Sequence, residues 1–440
     1  MNFRILCKIQ TATYMLFIST FWRSIHKTLS SLLSPSSTIV LKCDPAAIHF
    51  HPSQDLPQIT CPETLRSLNL ASHHLIDLLE PVAFPTETVY GLGATALNTA
   101  AASRIFATKG RPADNPLIVH ISSFDMLKSL VPTNYILSEA YQALIKCFWP
   151  GPLTLLFPRN IDVVPTIITA GQPTVAIRMP AHPVARALIA IANVPLAAPS
   201  ANSSGKPSPT RAEHVLHDLD GKINIILDGG ACNVGLESTV IDGLHPDGNI
   251  RVLRPGGVTV EEIERVLRQD LLGSQIAPKV LVHRRDFQDA VMEAAPTTPG
   301  MKYRHYSPSV PLTLLLTLSQ PPKHEPQVSV TSFLTSLQQT GRSKVGVLAP
   351  ADSILWSLLP SLDGLEWCAY PLGLADEPAV TAHRLFDGLL TLERQGVDRM
   401  LIEEVKEERE GLAVMNRVRK AAGDMRWVTY ESGHLAPPKL

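Results

Sequence analysis

Apolar residues recur at helical spacing between residues 60 and 80, at Leu65, Leu68, Leu70, Leu75, Leu78 and Leu79, and predict a helix there. The short apolar run Pro81-Val82-Ala83-Phe84-Pro85 predicts a buried strand closed by a proline. Thr86 to Gly93 reads as a loop, because Gly91 and Gly93 resist regular structure. A helix over about 100–107 follows. Strands are predicted at 117–121, 153–157 and 175–179, then a helix over 182–192 with Pro183 in its first turn. Two more strands, at 223–228 and 239–242, flank glycine-containing loops. Strands and helices alternate, so one α/β domain spans about residues 60–270.

Residues 271–309 show no such period. They hold a proline-rich stretch around Tyr303-Arg304-His305-Tyr306, whose aromatic and cationic residues are unusual for a mere spacer. This segment is the candidate lid. A second alternating unit runs to about residue 435, with strands at 312–316, 344–348 and 400–403 and helices at 381–395 and 412–422. It predicts a smaller, Rossmann-like α/β domain with a parallel sheet. The two units show no repeat of each other. The acidic run from Glu403 to Glu410 reads as a solvated face.

Composition sharpens this picture. A chain of 440 residues with 45% hydrophobic content can bury two cores. Net charge is -1, so no global field recruits nucleic acid or an anionic membrane, and any RNA contact is a local patch. The six cysteines include no C-x-x-C pair and no zinc-ligand set, which fits scattered thiols in a reducing compartment. The first 43 residues carry Arg4, Lys8, Arg23, Lys27 and Lys42 and no acid, the composition of a mitochondrial transit segment. Residues 1–55 therefore read as an N-terminal extension of an otherwise cytoplasmic protein. The apolar run from Ile9 to Trp22 is too short and too polar for a stable membrane span.

The chemistry lies in polar loops at strand ends. There is no G-x-S-x-G elbow and no phosphate-binding G-x-x-x-x-G-K-[ST] loop. Gly91-Leu92-Gly93 lacks the third glycine of a dinucleotide fingerprint, since Ala96 stands there. Lys109 and Arg111 place two cations two residues apart on a segment that prolines keep extended, where they would share a face. They can neutralise phosphate, or merely form surface ion pairs. Ser200 and Asn202, near Gly205, can donate to oxyanions. Asn115 is a turn residue or a base or phosphate ligand. Arg178, at a strand end, can bind a carboxylate or pair with an acid. Glu237-Ser238-Thr239 forms a polar loop suited to a small ligand, and His120 taken alone reads as a core histidine.

Jointly these residues stop looking generic. The segments Pro85 to Leu92, Lys109 to His120, Ala198 to Asn202 and Ser238 to Val240 resemble the YrdC-like family. With the Tyr303-to-Tyr306 linker and the second α/β unit, the layout is similar to the two-domain members of that family over about residues 60–435. The resemblance implies a twisted mixed-sheet catalytic domain with a central cleft. It implies synthesis of threonylcarbamoyl-adenylate, as nucleotidyl transfer from ATP to a carbamate made from L-threonine and bicarbonate. A partner complex then transfers the threonylcarbamoyl group to the adenosine beside the tRNA anticodon.

By position, the resemblance makes Lys109, Arg111, Ser200 and Asn202 the catalytic signatures. ATP contacts are Arg111, Asn115, Thr174, Ser200, Ser208, Arg254 and either Tyr303 or Tyr306. Threonine contacts are Thr88, His120, Arg178, Ala198 (through its backbone) and Ser238. No protein side chains are implied to hold metal, and Mg2+ would arrive with ATP. Two other readings share the domain type. One is a non-catalytic module whose concave basic surface holds double-stranded or structured RNA, for which no basic stripe with interleaved aromatics is present. The other is a carbamoyl-transferase maturation protein, which should carry cysteine clusters that this chain lacks.

Overall fold

The computed structural model describes residues 37–51, 56–271, 278–289, 293, 297, 305–338, 343–359 and 364–430. The transit-like residues up to 36 lie outside these, as do Tyr303 and Arg304.

The first unit contains β1 (Ile39–Lys42), α1 (Pro62–Ile76), β2 (Val82–Phe84), β3 (Gly91–Thr95), α2 (Thr99–Lys109), β4 (Ile118–His120), α3 (Phe124–Leu130) and α4 (Glu139–Phe148). It continues through β5 (Leu153–Pro158), β6 (Thr174–Arg178), α5 (Pro183–Ala192), β7 (Leu196–Ala197), α6 (Ala212–Leu219) and β8 (Ile225–Asp228). It ends with β9 (Thr239–Asp242), β10 (Ile250–Arg254), α7 (Val260–Asp270) and β11 (Val280–Val282). These strands form one 11-stranded mixed sheet in the order β1-β8-β2-β3-β7-β4-β6-β5-β9-β10-β11. Residues 39–42, which the sequence assigns to an N-terminal extension, are an edge strand pairing in parallel with β8.

Strand alternation divides the core between the two faces. Val82, Phe84, Ile225 and Leu227 pack with α1 and α5, whereas Ala83 and Ile226 join the cluster that includes α2, α4, α6 and α7. Each fully buried Leu in these clusters contributes about 1.5–3 kcal/mol relative to exposure. In α1 the buried stripe is Leu68, Ala71 and Leu75, while Leu65 is exposed, as is Leu78 just beyond the helix. Helix ends follow their local chemistry. Asn98 caps α2 by accepting from Ala101 N, and Thr259 with Glu262 forms a reciprocal capping box on α7.

Two expectations are corrected. The predicted loop over 86–93 is a loop only to Tyr90, because Gly91 and Gly93 lie in β3. Their lack of a side chain is what lets β3 approach: a Cβ on Gly93 would sit 2.4 Å from the Phe84 ring. The basic motif is also not extended throughout. Helix α2 runs through Lys109 and ends at Gly110, whose φ of 60° makes the left-handed cap.

The second unit holds β12 (Leu312–Leu316), β13 (Gln327–Ser329), α8 (Val330–Gln338), β14 (Ser343–Ala349), β15 (Leu365–Pro371), α9 (Pro378–Arg394), β16 (Arg399–Glu403), α10 (Glu410–Ala421) and β17 (Asp424–Thr429). Its six strands are all parallel, in the order β13-β17-β12-β16-β14-β15. The acidic run is not wholly solvated. Glu403 and Glu404 are buried, and Glu404 accepts from Leu318 N and Ser319 N.

The two units share a core. Val89 and Leu236 of the first unit and Tyr306 of the linker pack in the same cluster as Leu385, Phe386 and Val414 of the second. At the seam Gly235, with φ 78°, passes so close to α9 that a Cβ would meet the His383 backbone at 2.5 Å. Gly93→Val is expected to lower stability by about 1–3 kcal/mol through overpacking against Phe84. Denaturant unfolding checks this, and an unchanged midpoint would contradict the packing described.

Candidate active site

Loops at the ends of β2, β6, β7 and β10, the segments entering β3 and β9, and the linker converge on one cavity. Its wall includes nine of the residues singled out in the sequence: Thr88, Arg111, His120, Arg178, Ala198, Ser200, Ser238, Arg254 and Tyr306. Register explains part of this meeting. β4 and β6 run parallel with His120 opposite Arg178, and β7 lies antiparallel beside β4, delivering Ala198 and Ser200 next to them.

Arg178 is held from three directions. Nε donates to Gly151 O at 3.1 Å, Nη1 to Thr88 Oγ1 at 2.9 Å, and Nη2 to Glu87 Oε1 at 2.6 Å. Glu87 also accepts from Ala181 N. Burial alone would raise the Glu87 carboxyl pKa, but Arg178 and these hydrogen bonds hold it below its usual range. The threonine hydroxyls form an ordered chain. Thr86 donates to Val89 O at 2.7 Å, so its 2.7 Å contact with Thr88 is donated by Thr88. Arg178 keeps further N–H groups for a carboxylate in the cavity.

His120 Nδ1 lies 3.2 Å from Ile118 O. A carbonyl can only accept, so Nδ1 carries the hydrogen and Nε2 keeps its lone pair. Burial, reinforced by Arg178, lowers the imidazole pKa to about 3. His120 is therefore neutral at physiological pH.

The opposite wall is built around Arg111, Arg254 and Glu237. Arg111 donates to Asn115 O at 3.1 Å and to Pro116 O at 2.7 Å, and burial with Arg254 nearby lowers its pKa to about 9. Arg254 Nη2 donates to Ser238 O at 2.9 Å, and Ser238 Oγ lies 2.8 Å from Thr154 Oγ1. Glu237 accepts from Ser208 at 2.5 Å. Burial would raise its pKa, but Arg417 and Arg254 pull it down to about 2.

Of the remaining sequence candidates, Lys109, Asn115, Asn202 and Ser208 bond to or within the loops behind this wall, whereas Thr174 stands at the opposite end of β6 from Arg178, beside Pro158, and is not brought to the cavity. Lys109 does not share a face with Arg111. Its buried ammonium donates to Ser200 O at 2.6 Å and to Asn202 O, pinning the loop that carries both residues. Asn202 Nδ2 donates to Ser203 O and Lys206 O, closing that loop on itself. Among the described residues, the buried Oδ1 atoms of Asn115 and Asn202 and the Thr174 hydroxyl have no hydrogen-bond partner. Thr174 opens β6, and Ser208 stands behind Glu237. Sequence reasoning did not select Thr86, Glu87 or His305 as site residues and gave Glu237 only a place in a polar loop. Nothing in the sequence pointed to Arg417.

His305 and Tyr306 complete the lining of the cavity. Their rings stack 4.3 Å apart, and Tyr306 packs on Phe386 of α9 at 5.3 Å. The cavity is partly open to solvent, and its free volume is about 50 Å3. Among the described residues no group of three or more His, Cys, Asp or Glu side chains could hold a metal ion.

Comparison with known proteins accounts for both units. The family model described as telomere recombination matches residues 76–256. The model described as the C-terminal domain of threonylcarbamoyl-AMP synthase matches residues 258–423. A threonylcarbamoyl-AMP synthase of Schizosaccharomyces pombe is 45% identical over 384 residues, covering 82% of this chain and 89% of that one. The chain belongs to the threonylcarbamoyl-AMP synthase family. A family member from Bacillus subtilis is 43% identical over 344 residues, covering 78% of this chain and 90% of its own. The crystal structure of P. abyssi Sua5 complexed with L-threonine matches with a TM-score of 0.68 at 39% identity, covering 90% of this chain and 100% of that one. These family members share the two-unit architecture described above.

The His120 environment has a measurable consequence. The folded imidazole titrates near 3 and an ordinary one at 6.5. Between those values the unfolded chain binds more protons, so this contribution to stability is full above 6.5 and is lost as pH falls towards 3. Unfolding free energy should therefore fall more steeply from pH 6.5 to 4 in the wild type than in His120→Gln. Equal slopes would show that His120 titrates normally in the fold.

Proposed function

We propose that this cavity joins L-threonine, bicarbonate and ATP into threonylcarbamoyl-AMP and releases pyrophosphate. Synthesis of threonylcarbamoyl-AMP is the activity of the family. The observation that carries the residue assignment is the convergence of Thr88, His120, Arg178, Ala198 and Ser238 with Arg111, Ser200, Arg254 and Tyr306 on one small cavity.

In this reading the threonine carboxylate pairs with Arg178, which Glu87 and Thr88 hold in place. Nε2 of the neutral His120 accepts a hydrogen bond from the threonine amine or hydroxyl. The amine nitrogen attacks the carbon of bicarbonate and water leaves, giving an N-carboxylate. A carbamate oxygen then attacks the α-phosphorus, and the bond from that phosphorus to the bridging oxygen of the β-phosphate breaks. This is nucleotidyl transfer, and the electron pair departs with pyrophosphate.

Positioning and fixed positive charge do most of the work in such transfers. Arg111 and Arg254 supply that charge from a buried wall, where it is worth more than in water. Mg2+ enters with ATP rather than on protein ligands. Carbamates and mixed anhydrides hydrolyse readily, which gives the 305–306 segment its purpose as a lid: it withdraws to admit substrates and returns to exclude water. The product passes to a transferase complex that modifies the adenosine beside the tRNA anticodon.

The chain acts in the cytoplasm, and its acid-free first 43 residues direct a share to mitochondria. A reporter fused to residues 1–55 should then enter mitochondria, and a wholly cytosolic signal would remove the transit reading. Among the described residues no helix is long and apolar enough to cross a membrane.

Incubation with ATP, L-threonine and labelled bicarbonate should yield labelled threonylcarbamoyl-AMP and pyrophosphate. Arg111→Ala should cut the rate by at least about tenfold, since a charge-assisted contact contributes roughly 1.5–3 kcal/mol. An unchanged rate would overturn the phosphate-side assignment.

A further inference from the structure

A side chain of the second unit packs behind the cavity wall and bonds to Glu237, which lines it. Arg417, on α10, is 0% exposed. Its Nε donates to Glu237 Oε2 at 3.1 Å, and Nη2 lies 3.1 Å from the same oxygen. Nη1 donates to Pro255 O, and the guanidinium carbon lies 5.7 Å from the centroid of the Tyr306 ring. One planar cation thus grips Glu237 and Pro255, the chain neighbours of Ser238 and Arg254.

Those neighbours are themselves bonded, because Arg254 Nη2 and Nε both donate to Ser238 O. Arg417 therefore cross-ties two loops whose side chains form the Arg254 wall of the cavity. Glu237 carries the tie onward to Ser208 through its other oxygen at 2.5 Å. Gly256, between the two segments, shows how close they run: a Cβ there would meet Glu237 O at 2.3 Å. The guanidinium also lies beside Tyr306, whose ring packs on Phe386 of the second unit.

We propose that Arg417 is a positioning residue of the active site, through which the C-terminal domain fixes the nucleotide-side wall (Glu237, Ser208, Arg254) and seats Tyr306 when the lid is closed. The inference builds on the substrate assignment made under Proposed function. It gives the C-terminal domain a task in catalysis, because among the described residues Arg417 is the arginine that spans Glu237 and Pro255. Lysine keeps the charge but has no fork to hold both partners at once. The threonine side is tied separately, by Glu87 and Gly151 around Arg178, and should feel little of the change.

The test is steady-state synthesis of threonylcarbamoyl-AMP by the full chain carrying Arg417→Lys, and by the double variant Glu237→Gln/Arg417→Gln, which leaves no lone buried charge. Both should lower kcat/KM for ATP by about tenfold or more, while KM for threonine moves less than about threefold. The double variant should be no worse than Glu237→Gln alone, since the two residues act as a unit. An ATP-side kcat/KM within about twofold of wild type in Arg417→Lys would overturn the proposal. So would equal shifts of both KM values, which mark general loosening. A wild-type chain that makes no threonylcarbamoyl-AMP would instead overturn the functional reading, so the two failures are distinct.

Discussion

The structure is organised around a burial problem. Lys109, Arg111, Arg178, Arg254 and Arg417 are all buried around one cleft, and the buried carboxylates that face them are Glu87 and Glu237. Cations taken out of water are costly unless paired, so this cluster is tolerable only with fixed acceptors around it. Backbone carbonyls supply many of them, at Gly151, Asn115, Pro116, Ser200, Asn202, Ser238 and Pro255. The loops curl as they do because their carbonyls must point at guanidinium and ammonium groups. Positive side chains thus outnumber the buried carboxylates around the cleft among the described residues, a setting suited to anionic ligands. The weakened hold on protons at Arg111 and Lys109, both through burial and through neighbouring arginines, expresses the same excess.

Much of this was legible in the sequence, and the reasons differ by element. Strongly apolar strands such as β4, β5 and β6 and the capped helix α5 follow from local pattern alone. β3 does not, because its glycines look like loop residues. They occupy a strand only because Phe84 and Ala198 leave no room for side chains, a tertiary fact. β1 is too short and too close to the amino terminus for its pattern to separate it from an extension, and its role comes from pairing with β8. Glu403 and Glu404 sit in a run of charge that composition reads as solvent-facing. They turn inward because β16 ends there and unpaired N–H groups of the 318–319 turn need an acceptor.

The site was legible where a residue's own chemistry announces a partner, as with Arg178 or Ser238, and obscure where the partner is distant. Lys109 stands two residues from Arg111, a spacing that suggests a shared phosphate-binding face or surface ion pairs. The helix carries it to the other side of Gly110, where it ties the 200–202 loop instead. Arg417 lies 180 residues from Glu237 in sequence. Nothing in a helix containing Arg417, Arg419 and Lys420 marks one of them as buried. Only docking of the two domains, with Gly235 against His383 and Tyr306 within the C-terminal core, brings it against Glu237 behind the cavity wall. Residues 305–306, the Arg254 wall and the second domain are consequently packed together.

In the proposed function, one cavity divides into an Arg178 side for threonine and an Arg111–Arg254 side for the nucleotide. A crystal structure of the full chain with L-threonine and a non-hydrolysable ATP analogue tests it most directly. The account predicts the threonine carboxylate on Arg178 with Thr88 and His120 around it, the phosphates against Arg111 and Arg254, and residues 305–306 displaced to make room. A nucleotide bound elsewhere, with His305 and Tyr306 still filling the cavity, would contradict it.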